Sequence, residues 1–294
     1  MAMPGRISRQ IDTVAARLSS FGMEDFISSE LALPSNHLLR NPGKLMRPAL
    51  VFLGADYVGI QDLGKYIELA TAIELLHTSS LIHDDIIDKD GMRRGRPSTH
   101  SKYGIESAIL AGDALISKAI QEANAYGREV VETISKAAMK MSAGEILDYR
   151  YQKSGMVPDM REYLKVVELK SSSLIGVSTS IAALHAEDHR ADKLYEFGML
   201  LGTAFQIMDD MSDFGGNGAG GKRDLNIVAC IREREGCDTR SAFAKAADAN
   251  REYVRDAISK LGNRKSAALF KEYAKQVEVS PEMEMVLSGG RPHL

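Results

Sequence analysis

Apolar positions recur along this chain every three to four residues and rarely every second one. Ile7, Ile11, Val14 and Leu18 make one such stripe; Leu63, Ile67, Ala70, Ile73, Glu74 and His77 make another, on a longer run leading into an acidic cluster. That period is the helix's, in which residues three and four apart share a face. Most prolines stand where such runs should begin or end, Pro48, Pro97, Pro158 and Pro281 among them. The pattern predicts an all-α chain, a single domain over residues 1–294 with ten or more helices. The strongest interruption is Gly215-Gly216-Asn217-Gly218-Ala219-Gly220-Gly221. It predicts a flexible loop rather than a domain linker, because helical pattern resumes at Leu225 and the roughly 70 residues that follow are too few for an obviously independent core.

Composition narrows the partners. Hydrophobic residues make up 44% of the 294, enough for a full core, and the net charge of −3 mixes both signs throughout. No basic face announces nucleic acid and no polybasic run announces anionic lipid, so a polyanionic substrate has to be met locally. Cys230 and Cys237 are the only cysteines and lack the spacing of a zinc site, which predicts reduced bystander thiols. No apolar run reaches the roughly 18 residues of a membrane span, and Met1 to Gln10 has no signal-peptide core. A cytoplasmic location is expected.

The chemistry is concentrated in two copies of one pattern, Asp84-Asp85-Ile86-Ile87-Asp88 and Asp209-Asp210-Met211-Ser212-Asp213. On a helix Asp84, Asp88 and Asp85 fall at about 0°, 40° and 100°, so all three project from one arc. The same holds for Asp209, Asp213 and Asp210, with Gln206 on that arc one turn earlier. Carboxylates so close repel one another unless solvated or neutralised. Hard oxygen donors leaving room for water and phosphate are what Mg²⁺ uses. Apolar residues pack the same turns, Leu81, Ile82, Ile86 and Ile87 at one and Phe205, Ile207 and Met208 at the other, which predicts an acidic rim on a buried helix. Neither cluster has the loop Gly and terminal Glu of a calcium-binding EF-hand. Cations complete the picture: Arg93-Arg94-Gly95-Arg96-Pro97 follows the first cluster, and Gly43-Lys44-Leu45-Met46-Arg47-Pro48 places Lys44 and Arg47 at a helix start, where backbone N–H groups favour an anion. Together they point to two diphosphate sites. His77 shares the Asp84 arc and faces the same way, whereas His83 points elsewhere and reads as structural.

These residues resemble the trans-isoprenyl diphosphate synthases, or polyprenyl synthetases. The matching text is Gly43-Lys44 with Arg47-Pro48, His77 through Asp88, Arg93-Arg94-Gly95, Ala111-Gly112-Asp113, Gly144-Glu145, Lys170-Ser171 and Phe205 through Asp210, in the family's order. The resemblance implies an isoprenoid synthase-type helical bundle around a central cavity. It implies that Asp84, Asp85, Asp88, Asp209, Asp210 and Asp213 hold three Mg²⁺ ions gripping an allylic diphosphate (dimethylallyl, geranyl, farnesyl or geranylgeranyl), with Arg93, Lys170, Ser171, Gln206 and Lys222 completing that site. Lys44, Arg47, His77 and Arg94 would bind isopentenyl diphosphate. The implied reaction is ionisation, condensation and elimination, with the leaving diphosphate as base, and the implied assembly is a homodimer, for which Ile109-Leu110-Ala111 and Leu115-Ile116 form a candidate interface segment.

Two places bear on activity. After the second cluster the family carries two Gly-Lys pairs, whereas here Gly221-Lys222 is present and the second lysine is missing. In the family, residues four and five before the first Asp form part of the floor of the elongation tunnel. Here they are Ser80 and Ser79, small enough to imply a product of twenty carbons or more; Ala114 and Ser117 should not obstruct, and Leu76 and Ile73 lie deeper. The alternatives are a class I terpene cyclase, which needs no second diphosphate site, and a non-catalytic subunit of a heteromeric synthase, which would not need both clusters intact.

Overall fold

The structure is a computed structural model and describes residues 3–216 and 225–288, with the backbone alone at 215, 216 and 286. Fourteen α-helices are formed among the described residues: α1 (Gly5–Ser20), α2 (Ser29–Leu39), α3 (Met46–Tyr57), α4 (Ile67–Ile87), α5 (Thr99–Tyr103), α6 (Ile105–Ala123), α7 (Arg128–Ser154), α8 (Met160–Val167), α9 (Ser173–His185), α10 (Ala191–Gly216), α11 (Ile227–Glu235), α12 (Thr239–Lys260), α13 (Ala268–Lys275) and α14 (Pro281–Leu287). The expected all-α class is the one observed. Among the described residues one antiparallel ribbon interrupts it, β1 (Met92–Arg93) with β2 (Arg96–Pro97). Most positions of the predicted stripes are buried, Ile7, Val14 and Leu18 on α1 and Ala70, Ile73 and Glu74 on α4, whereas Ile11, Ile67 and His77 are half-buried. Leu63 is also buried, but in a 3₁₀ turn at Leu63–Tyr66 rather than in α4 itself. The Gly-rich segment from Asn217 to Gly221 and Lys222 lie outside the described residues.

Local sequence accounts for where the helices start. Ser28 Oγ accepts from Leu31 N at 3.3 Å to open α2, and Asp238 accepts from Ser241 N at 2.8 Å to open α12. At α8, Asp159 and Glu162 form a reciprocal capping box of 2.8 and 2.9 Å. Between α8 and α9 the chain loosens into one π-helical turn, Glu168–Ser172.

The contacts divide the chain into two compact units. One comprises Ala2–Ala138 and Val177–Ala191, the other Met139–Gly176 and Asp192–Leu294. In the first unit α6 packs along α4, which also carries α3 and α1, and the core includes Leu50, Phe52, Leu69 and Ile73. In the second, α12 packs on α11, α13 and α14, and α11 packs on α8, around Tyr163, Ile207, Met211, Ile227 and Phe243.

Candidate active site

In the first unit the acidic cluster closes α4. Asp84 and Asp85 lie in its last turn and Asp88 is its C-cap. The three carboxylates do not share one exposed rim, which corrects the expectation drawn from helix angles. Asp84 and Asp88 are half-buried, whereas Asp85 is fully buried. The physical reason is Arg93: its Nε donates to Asp85 Oδ1 at 2.7 Å, and its Nη2 pairs with the same oxygen. Burial pushes the Asp85 carboxyl up, against the pull of the Arg93 guanidinium.

The ribbon that supplies Arg93 was not expected. Arg94 and Gly95 link its strands at φ of 52° and 74°, left-handed at both turn positions, the geometry that matches a hairpin's twist. His37 Nε2 meets Pro97 O at 2.8 Å, Asn41 Nδ2 donates to Arg94 O at 3.3 Å, and Arg94 Nη1 donates to Asn41 O at 2.7 Å. The hairpin thereby separates the two arginines: Arg93 turns to Asp85, and Arg94 lays its guanidinium over Gly43, where a Cβ would come within 3.0 Å of it.

Arg94 joins a cationic group on the same unit. Arg47 Nη1 lies 3.0 Å from His77 Nε2. A guanidinium only donates, so Nε2 accepts and the imidazole proton sits on Nδ1. Burial and the charges of Arg47, Arg94 and Arg93 hold His77 well below its ordinary value, so it stays neutral. Glu74, one turn earlier on α4, is buried beneath this group; burial pushes its carboxyl up to about 7, against Arg47 and Arg94. α3 begins beside Leu45 in the left-handed region (φ 48°), with no side-chain cap, and puts Arg47 in its first turn. A cation at the positive end of a helix is unfavourable unless an anion joins it. Lys44 is exposed at the same start. Among the described residues, three of the five non-glycine positions at positive φ, Leu45, Lys89 and Arg94, fall in these segments, and such strain is characteristic of functional sites.

Ser79 and Ser80 differ in direction. Ser79 is buried and donates to Gly112 O on α6 at 2.9 Å; Ser80 is half-buried and bonds within α4 to His77 O at 2.8 Å. His83 packs its ring on Gly112 and meets Ile109 O at 3.2 Å, as expected of a structural histidine.

The second unit carries the other cluster near the end of α10. Asp209 and Asp213 are exposed, but Asp210 is 5% exposed, a second departure from the single-rim expectation. Its Oδ1 accepts from Gln206 Nε2 at 2.8 Å, and its Oδ2 accepts from Tyr163 Oη at 2.8 Å and from Ile227 N at 2.9 Å. Burial pushes Asp210 up to about 7, with these donors pulling the other way. Gln206 Oε1 accepts from Ser171 Oγ at 2.7 Å. Lys170, on the π turn, pairs with Glu145 at 2.6 Å and Asp148 at 2.7 Å. Asp148, Tyr163, Lys170, Ser171, Gln206 and Asp210 line a cavity of about 70 Å³ with Leu225 and apolar α8 residues. Sequence reading missed Tyr163 and Asp148. The i, i+3 spacing of Glu145 and Asp148 on one helix was a usable signal; nothing marked Tyr163 among ten tyrosines.

Among the described residues no three His, Cys, Asp or Glu side chains converge on a ready metal position. The donor chemistry still fits Mg²⁺, which takes one or two carboxylates and completes its shell with water and phosphate oxygens. The accessible carboxylates of each cluster come as a pair, Asp84 with Asp88 and Asp209 with Asp213.

Comparison with known proteins gives concordant matches. The sequence model described as polyprenyl synthetase matches residues 28–226. A geranylgeranyl pyrophosphate synthase of Geoglobus acetivorans is 35% identical over 245 residues, covering 77% of this chain and 75% of that protein. A geranylgeranyl diphosphate synthase of Methanosarcina mazei is 40% identical over 192 residues, covering 63% and 59%. The solved geranylgeranyl pyrophosphate synthetase of Geoglobus acetivorans matches with a TM-score of 0.81 at 26% identity, over 93% of this chain and 99% of that one.

Proposed function

The chain belongs to the polyprenyl synthetase family, and from that premise we propose that it is a prenyltransferase condensing isopentenyl diphosphate with an allylic diphosphate to a trans-polyprenyl diphosphate of twenty carbons or more. The observation that carries this reading is the group of Arg47, neutral His77 and Arg94 around the uncapped start of α3. It is a cationic group distinct from the Asp84–Asp88 cluster, with Glu74 buried beneath it, and suits a diphosphate whose C–O bond stays intact. A terpene cyclase has no use for it.

In this reading Arg47, Arg94, His77 and Lys44 bind isopentenyl diphosphate. Bidentate guanidinium contacts and the α3 amides meet its oxygens. Asp84, Asp88, Asp209 and Asp213 hold the Mg²⁺ ions, three per active site, that accompany the allylic diphosphate. Bound Mg²⁺ stabilises negative charge on the departing diphosphate. Lys170 and Gln206 supply further donors to that diphosphate, Arg93 fixes Asp85 and so the end of α4, and Lys222 adds a cation. The allylic C–O bond breaks, the isopentenyl double bond closes the new C–C bond, and a proton passes to the released diphosphate. The chain acts as one catalytic domain, in a cytoplasmic homodimer. Among the described residues no helix is long and apolar enough to cross a membrane.

The test is incubation with labelled isopentenyl diphosphate, Mg²⁺ and allylic starters of ten, fifteen and twenty carbons. The expected result is incorporation into chains of twenty carbons or longer, abolished by EDTA. No incorporation, with a hydrocarbon or alcohol formed from an allylic diphosphate alone, would overturn it in favour of a cyclase.

A further inference from the structure

The second unit contains a polar chain that the proposed reaction does not by itself require. Tyr163 is fully buried on α8, in an otherwise apolar core, yet its hydroxyl is spent on one carboxylate oxygen of Asp210. That oxygen also receives Ile227 N, at the start of α11, and Asn226 Nδ2 donates to Asp210 O at 2.6 Å. Asp210 is therefore clamped from α8 and α11 while it sits on α10. Its other oxygen faces the Gln206 amide one turn earlier, at 2.8 Å.

The consequence falls on Gln206. In its ionised form Asp210 only accepts, so Nε2 of Gln206 faces it and Oε1 faces Ser171, whose hydroxyl donates at 2.7 Å. The amide cannot turn over without placing its carbonyl against the buried Asp210 carboxylate, which then loses one of its donors. Of its two N–H groups Asp210 takes one. The second is left for the cavity that Gln206 lines together with Lys170.

We propose that Tyr163 and Asp210 are positioning residues that lock the Gln206 amide so that its remaining N–H and the Lys170 ammonium both donate into this cavity, toward a diphosphate oxygen. The inference rests on the proposed function for the identity of that anion, but the locking stands apart from it. Asp210 acts here by orienting Gln206, whereas Asp209 and Asp213 stay exposed on the same helix.

A double-mutant cycle reads the coupling. Tyr163→Phe removes one oxygen from a fully buried ring and is expected to lower kcat about tenfold, or about 1.4 kcal/mol, while leaving KM for isopentenyl diphosphate and the Mg²⁺ midpoint within about twofold. Added to Gln206→Ala it should cost nothing more, because the group it positions is gone. Ser171→Ala, at the half-buried other end of the chain, should behave the same way if Tyr163→Phe folds poorly. Independently of turnover, ¹⁵N-glutamine labelling should show the Gln206 side-chain amide protected from hydrogen exchange in the wild type and exposed in Tyr163→Phe, and inorganic diphosphate should shift its signal only in the wild type. Additive losses in the cycle, or an amide unchanged by Tyr163→Phe, would overturn the proposal. An Asp210→Asn variant whose Mg²⁺ midpoint moves as far as that of Asp209→Asn would make Asp210 a ligand and overturn it too. A wild type with a protected amide and no prenyl transfer would leave the locking intact and remove the functional reading.

Discussion

Glu74 shows how a single buried carboxyl becomes a measurable property. Burial pushes it up to about 7 from an ordinary 4.5, so between those values the folded chain keeps a proton that the unfolded chain has released. Stability from this group is therefore complete below about pH 4.5 and declines as pH rises through about 7. Urea unfolding without Mg²⁺ from about pH 5 to about pH 8 should show a steeper loss for the wild type than for Glu74→Gln; parallel curves would mean that Glu74 is ionised throughout. Asp210 adds its own slope to both proteins, so the difference between them is the readout. The two serines before the first cluster divide similarly. Ser80 lies four residues before Asp84, on the same helix face, whereas Ser79 is turned into α6. Ser80→Phe should shorten the product below twenty carbons in a chain-length assay. Ser79→Phe should lower expression and melting temperature instead, by driving a ring into the Gly112 backbone. A shortened product from Ser79→Phe alone would reverse the assignment.

At the scale of elements, what was legible was whatever repeats. The stripes of α1 and α4, the placement of Pro281 at the head of α14 and the resumption of helix after Leu225 follow from period and punctuation, which act locally. Helix angles at the two acidic clusters put the carboxylates on the right helices but give every one of them the same exposure. Arg93 arrives from a hairpin and Tyr163 from another helix to take Asp85 and Asp210 inward, and such tertiary partners leave no mark in a helix's own period. The ribbon was missed because Arg-Gly is a weak turn pair, forced here by hydrogen bonds to His37 and Asn41. The π turn at Lys170 has no periodic signature either. It is fitted against Gly144, where a Cβ would approach Lys170 N to 2.4 Å, so the helix carrying Glu145 and Asp148 reaches the turn at backbone contact. Gly144→Ala should cost about 1–3 kcal/mol in urea unfolding and at least tenfold in kcat, since relief of the clash displaces Lys170. Unchanged kcat with lowered stability would separate the turn's geometry from its chemistry.

For the whole molecule the candidate interface segment resolves into buried and exposed parts. Ala111 and Leu115 belong to the core, whereas Ile109 and Leu110 on α6 are 43% and 58% exposed, with Ile105 and Ile120 exposed on the same helix. Such a row on one helix is the kind of surface a two-fold dimer buries. Leu110→Asp should convert a dimer to a monomer in light scattering without lowering the helix content seen by circular dichroism; an unchanged mass would move the interface elsewhere. A last consequence follows from the inward-turned second aspartate of each cluster. A hydrated cation drifting up to either group meets two accessible carboxylates rather than three, and two hold a strongly hydrated ion poorly. The resting protein should therefore compete weakly for free magnesium, and its activity should follow the concentration of the magnesium–diphosphate complex instead. Swings in the cell's magnesium reserve would reach this chain only through its substrate.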